Sequence, residues 1–219
     1  LLFVPYGWFK LCYTASHVDK YTEEERYQVL KMIDRRANWG GRITIDAHGV
    51  ENIPEKDGFM FFPNHQGLYD VLAILEVCPR PFSVVMKKEV ANIPFLKQVF
   101  ACMKAIPLDR EDIRQGLKVI QQVADEVKKG RNYLIFAEGT RSKMQNKLQE
   151  FKGGSFKSAV KAQCLIDSYK SFDTNSIEKL TVQVHFLKPI PYEEYQGMKT
   201  TQIAAMVKER IEDTIARYE

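Results

Sequence analysis

The stretch GFMFFPNHQGLYDVLAILEV, residues 58–77, changes character halfway along its length. Residues 58–64 are an apolar run closed by Pro63 and Asn64, and they read as a strand. From Gly67 onward the apolar positions fall at helical spacing, so residues 67–77 read as a helix. Gly67 lets the chain turn between the two. A strand feeding a helix in this way is the repeating unit of an α/β fold.

The unit recurs on both sides of this stretch. Upstream, RITIDAHGV (42–50) reads as a strand. Downstream come PFSVVMKK (81–88) as a strand, NIPFLKQVFACM (92–103) as a short helix and KAIPLD (104–109) as a strand. EDIRQGLKVIQQVADEVKK (111–129) reads as a helix with Ile113, Leu117, Ile120, Val123 and Val127 on one face. RNYLIFAE (131–138) reads as a buried strand, GSFKSAVKAQ (154–163) as a helix and LTVQVHFLKPI (180–190) as a strand. The last helix, residues 200–218, lines up Ile203, Val207, Ile211 and Ile215. The expectation is an α/β fold: one domain with a mixed, mostly parallel sheet flanked by helices, and an N-terminal helical segment at a membrane interface.

Composition agrees with a folded domain. The chain has 219 residues, 45% apolar and 27% charged, enough to bury a core. Its net charge of +4, from 32 basic and 28 acidic residues, suits an acidic ligand or an anionic membrane surface. It has neither a dense basic stripe nor an aromatic stacking motif, so nucleic acid is not an expected partner. Cys12, Cys78, Cys102 and Cys164 are scattered without a C-x-x-C pair, which argues against a zinc site or a disulfide framework.

The N-terminus, LLFVPYGWFKLCYTASHV, carries Lys10 as the only charge in its first thirteen residues. That run is shorter than the roughly 20 apolar residues a bilayer span needs. Phe3, Tyr6, Trp8, Phe9 and Tyr13 are residue types that settle at headgroup level, so an amphipathic helix lying in the interface is one reading and a helix packed on the domain is the other. The next helix opens with a capping box, Thr22 as N-cap and Glu25 three residues on. Residues 1–40 are expected to form a helical, membrane-associating segment and residues 41–219 the α/β domain.

Ligands of α/β sheets bind where strands end and helices begin. His65 lies at such a place, with Asp70 in the first turn of the following helix. A carboxylate there can accept a hydrogen bond from one imidazole nitrogen and leave the other as a general base. The His-x4-Asp pair alone fits packing as well as chemistry. A second strand end, YLIFAEGTRS (133–142), adds Glu138, Gly139, Thr140 and Arg141. Gly139 permits a sharp turn, and the Arg141 guanidinium can fork onto a phosphate. GGSFKS is not a G-x-S-x-G elbow, so a base at position 65 would act on a hydroxyl brought by the substrate.

Together these stretches resemble the glycerophospholipid acyltransferase family, closest to its bacterial members acting on 1-acyl-sn-glycerol-3-phosphate. NHQGLYD (64–70) matches the family's N-H-x4-D block, which implies His65 as general base and Asp70 as its orienting partner. KKEVANIPFLKQVFACMKAIPLDR (87–110) is similar to the second block, implying that Arg110 holds the acceptor's phosphate. FAEGTRS (136–142) matches the third block except for Ala137, implying Glu138, Gly139, Thr140 and Arg141 as glycerophosphate-site residues. Lys87, at the end of its strand, is a further candidate for that phosphate.

The resemblance implies transfer of a fatty acyl group from acyl-CoA or acyl-acyl carrier protein to lysophosphatidic acid, giving phosphatidic acid, with no metal or other cofactor. Glycerol-3-phosphate or another lysophospholipid as acceptor, a thioester or ester hydrolase, and a silent lipid-binding protein are the alternatives. It also implies a peripheral or monotopic enzyme on the cytoplasmic face of the membrane. One departure stands out: after FKGGSFKSAVKA the family continues into an apolar strand with proline, whereas here AQC runs straight into LIDSYKSF. That predicts a shortened fourth block.

Overall fold

A computed structural model describes residues 3–67, 69–139, 148–172 and 180–218. The chain begins with two helices, α1 (Phe3–Ser16) and α2 (Glu23–Gly41). The capping box starts α2 as the sequence predicts: Thr22 Oγ1 accepts from the Glu25 N–H at 3.2 Å, and Glu25 Oε2 accepts from the Thr22 N–H at 2.7 Å. Among the described residues no helix is long and apolar enough to cross a membrane.

Strand–helix alternation follows. The elements are β1 (Ile43–His48), β2 (Met60–Phe61), α3 (Asp70–Val77), β3 (Ser83–Lys87), α4 (Leu96–Cys102), β4 (Ile106–Leu108), α5 (Ile113–Lys128) and β5 (Tyr133–Ile135). After them come α6 (Lys157–Ala162), β6 (Ile166–Asp167), β7 (Tyr169–Phe172), β8 (Leu180–Phe186), α7 (Tyr192–Tyr195) and α8 (Thr200–Tyr218).

The strands form two sheets where the sequence suggested one. Five are all parallel in the order β4-β3-β5-β2-β6, and three form a mixed sheet, β1-β8-β7. Residues 166–172 join them, since β6 pairs with β2 and β7 pairs with β8. Ser168, between β6 and β7, accepts a hydrogen bond from the Leu187 N–H at 3.0 Å. The shortened fourth block therefore still supplies an edge strand, only two residues long, before the chain crosses to the second sheet.

Alternation along the central strands explains their unbroken apolar character. Phe59, Phe61, Val84 and Leu134 enter one core cluster with Leu11, Tyr27, Leu30 and Ile74. Met60, Phe62, Val85 and Tyr133 enter another with Val123, Phe156, Ile203, Val207 and Ile211. Successive side chains point to opposite faces and both faces are covered, so each position must be apolar. The C-terminal ends of β4, β3, β5 and β2 consequently lie side by side along one edge. Residues 110, 87, 139 and 65 are at or just beyond those ends.

Candidate active site

His65 sits in the turn between β2 and α3. Its Nδ1 lies 2.9 Å from Asp70 Oδ2, and the same oxygen accepts from the backbone N–H groups of Gln66 at 2.8 Å and Gly67 at 3.0 Å. Asp70 is the first residue of α3 and only 4% exposed, so one buried carboxylate both shapes the turn and holds the ring. The imidazole stacks on Phe136, ring centroids 3.9 Å apart and planes 25° apart. With Nδ1 committed to Asp70, Nε2 is the nitrogen left for other chemistry.

Glu138 supports the same turn from the neighbouring strand. Its Oε1 accepts from the His65 N–H at 2.7 Å and its Oε2 from the Gln149 N–H at 3.0 Å. It is 2% exposed, and burial raises its pKa above the usual carboxylate range against the pull of those two donors. The sequence suggested a substrate contact for Glu138; here both of its oxygens are occupied by backbone donors.

A cavity of about 670 Å³ opens along this edge. His65, Gly67, Lys87, Arg110, Gly139 and Lys152 line its polar part. Gly139 adopts φ +75°, a left-handed conformation that favours glycine. Thr140 and Arg141 lie outside the described residues. Lys87 pairs with Glu89 at 3.3 Å, while Lys88 pairs with Asp109 at 2.5 Å and is not part of the lining. Lys104 pairs with Asp19 on the surface. At Gly153 a Cβ would approach the Thr200 and Thr201 backbone at 3.0 Å.

The apolar wall comes from α5 and β3. Of the five residues that the sequence puts on one face of this helix, Ile113, Leu117 and Ile120 line the cavity. Ile113 remains 79% exposed and Leu117 55%, whereas Val123 and Val127 are buried. The stripe is longer than the core because its first half faces a space that a ligand can fill. Lys152, Phe136 and Gln149 are the residues that sequence reasoning missed. Lys152 belongs to FKGGSF, a stretch with no motif that singles the lysine out.

His48 and His185 lie elsewhere, facing each other across β1 and β8 with ring centroids 4.5 Å apart. His48 has a partner the sequence did not suggest, Asp46 Oδ2 at 3.0 Å. Among the described residues no group of three His, Cys, Asp or Glu side chains is placed to hold a metal ion.

Comparison with known proteins matches residues 44–168 to the acyltransferase family. The chain is 28% identical over 176 residues to a 1-acyl-sn-glycerol-3-phosphate acyltransferase of Borreliella burgdorferi, covering 75% of this chain and 70% of that one. It is 28% identical over 167 residues to the Escherichia coli K12 protein of the same name, covering 73% and 68%. A chloroplastic 1-acyl-sn-glycerol-3-phosphate acyltransferase of Arabidopsis thaliana is 32% identical over 118 residues, which are 53% of this chain and 33% of that protein. The crystal structure of a 1-acyl-sn-glycerophosphate acyltransferase from Thermotoga maritima superposes with a TM-score of 0.73, covering 98% of this chain and 90% of that one. Its sequence identity is 21%, so this likeness speaks for the fold.

Proposed function

The chain belongs to the acyltransferase family, and on that premise we propose that it moves a fatty acyl group from a thioester to the free hydroxyl of 1-acyl-sn-glycerol-3-phosphate, giving phosphatidic acid. The observation that carries this reading is the His65–Asp70 pair at a cavity lined both by Lys87, Arg110 and Lys152 and by the apolar side chains of α5 and β3. The names of the bacterial relatives supply the acceptor.

His65 Nε2 takes the proton of the acceptor hydroxyl as its oxygen attacks the thioester carbon. Asp70 stabilises the imidazolium that results. As the C–S bond breaks, the imidazolium returns the proton to the leaving thiolate, so the products are phosphatidic acid and a free thiol. Arg110 and Lys87, with Arg141, hold the acceptor's phosphate, while Glu138 and Gly139 keep the turn that presents it. Ile113, Leu117 and Ile120 give an acyl chain an apolar wall. The donor is acyl-CoA or acyl-acyl carrier protein.

For α1 we propose an interfacial position on the cytoplasmic face of the membrane, peripheral or monotopic. Gly7, Leu11 and Thr14 are buried against the domain, while Val4 and Phe9 are 71% and 75% exposed and Tyr6, Trp8 and Tyr13 are exposed as well. Aromatic and aliphatic side chains presented together suit the headgroup boundary. Residues 1–40 are then the membrane-associating segment and residues 41–219 the acyltransferase domain, with Tyr27 and Leu30 of α2 packed into the latter's core.

Product analysis tests the reaction. Incubation of the wild-type chain with a labelled acyl thioester and lysophosphatidic acid is expected to yield labelled phosphatidic acid. Free fatty acid as the main product, formed equally without acceptor, would contradict transfer and indicate hydrolysis.

A further inference from the structure

Among the cations around the cavity, Lys152 is held over the strand-end turn. Its backbone N–H donates to the Ala137 carbonyl at 2.9 Å, which fastens residue 152 beside the turn after β5. Its side chain crosses Gly139: a Cβ built there would sit 3.3 Å from Lys152 Cδ, 3.2 Å from Cε and 3.3 Å from Nζ. Gly139 is thus required twice, by its φ of +75° and by the lysine stem above it. The stem and the glycine both line the cavity that holds His65.

Among the described residues the ammonium at the end of this stem has no acid to neutralise it. Lys87 is paired with Glu89 and Lys88 with Asp109, but among the described residues no carboxylate lies within ion-pair distance of Lys152 Nζ. A surface lysine with no partner is ordinary. One laid across a glycine turn has given up part of its rotamer freedom before any ligand arrives, which lowers the cost of binding an anion there.

We infer that Lys152 is a specificity-determining residue of this site: its ammonium takes the phosphate of a phosphomonoester acceptor and sets the preference for phosphorylated over unphosphorylated glycerides. Lysine acts here as a point charge aimed by its stem, complementing any guanidinium fork. The choice of acceptor rests on the function proposed above, whereas the anion seat rests on the geometry alone.

The test compares wild type, Lys152→Met and Lys152→Arg. Methionine keeps an apolar stem over Gly139 and removes the charge. With lysophosphatidic acid as acceptor, Lys152→Met is expected to raise KM about 10- to 100-fold, in line with loss of one charged contact. Its KM for the thioester and its turnover with an unphosphorylated monoacylglycerol should stay within about twofold, and Lys152→Arg should recover most of the loss. An unchanged KM for lysophosphatidic acid, or equal losses with both acceptors, overturns the inference. Calorimetric titration with sn-glycerol-3-phosphate decides it without turnover. Binding by wild type that weakens at least tenfold in Lys152→Met supports the seat even if no transfer to lysophosphatidic acid is seen, an outcome that would sink the proposed reaction only. Equal binding by both proteins, or binding by neither, overturns it.

Discussion

Glu138 Oε1 accepts the backbone N–H of His65 at 2.7 Å, so the third motif of the sequence holds the first in place. The two residues are 73 positions apart and meet because β2 and β5 are adjacent parallel strands. From this contact we predict that Glu138 acts by positioning the His65 turn. Glutamine at this position offers one acceptor oxygen and one amide donor, leaving either the His65 or the Gln149 N–H facing a donor. Glu138→Gln is expected to lower kcat about 10- to 100-fold, with KM for the acceptor changing less, and to cost about 1–3 kcal/mol of stability. Steady-state kinetics with thermal melts check it; a pure KM effect would restore the substrate-contact reading.

Asp70 Oδ2 gathers three donors, so its replacement should affect both chemistry and turn geometry. In Asp70→Asn the carboxylate charge that stabilises an imidazolium is gone, and the amide can present its NH₂ to Nδ1 and select the wrong tautomer. A fall in kcat of about 10²-fold or more is expected. Single-turnover transfer assays on the folded variant would show it. Activity within threefold of wild type would mean that the pair is packing.

Asp34 predicts a pH dependence of stability. It is 5% exposed, its Oδ2 has no hydrogen-bond partner among the described residues, and it lines a second cavity of about 180 Å³ bordered by α1, α2, α3 and α4. Burial and, after it, the Glu76 carboxylate push its pKa up to about 8, with Arg35 and Lys31 pulling the other way. Between about pH 4 and pH 8 the folded chain therefore holds a proton that the unfolded chain has released, and stability falls as pH rises through that window. The penalty above pH 8 is of the order of a few kcal/mol. Asp34→Asn should melt higher than wild type at pH 8, and the difference should shrink steadily as pH falls toward 4. A melting difference that does not change with pH would contradict this.

The outer face of α1 gives a prediction independent of catalysis. Val4 and Phe9 are exposed, so replacing them leaves the core intact. Val4→Ser combined with Phe9→Ser should weaken binding to anionic phospholipid vesicles about tenfold or more, from the apolar area withheld from the bilayer, while thermal stability stays within about 0.5 kcal/mol. Vesicle co-sedimentation measures it. Undiminished binding would move the membrane contact elsewhere.

Much of this arrangement is legible in the sequence because it is local. The strand-turn-helix at residues 58–77, the capping box at Thr22 and the apolar stripe of α8 all follow from spacing alone. Two things escape it. Sheet partnership is set by distant residues, so nothing near LIDSYKSF announces that its first residues join β2 and its later ones join β8. Side-chain destination is the other: Glu138 reads as a ligand group and Lys152 draws no reading at all, and only the fold sets one beneath His65 and the other across Gly139. The stripe of α5 held a usable signal, since apolar positions reaching Ile113 at the very start of a helix imply something beyond the core for them to face.

The most direct measurement is acyl transfer from a labelled thioester to lysophosphatidic acid by wild type and His65→Ala under identical detergent conditions. Wild type is expected to give phosphatidic acid and His65→Ala a rate about 10²–10⁴-fold lower, with both proteins melting alike. Equal rates from the two would contradict it, because the base would then not be His65.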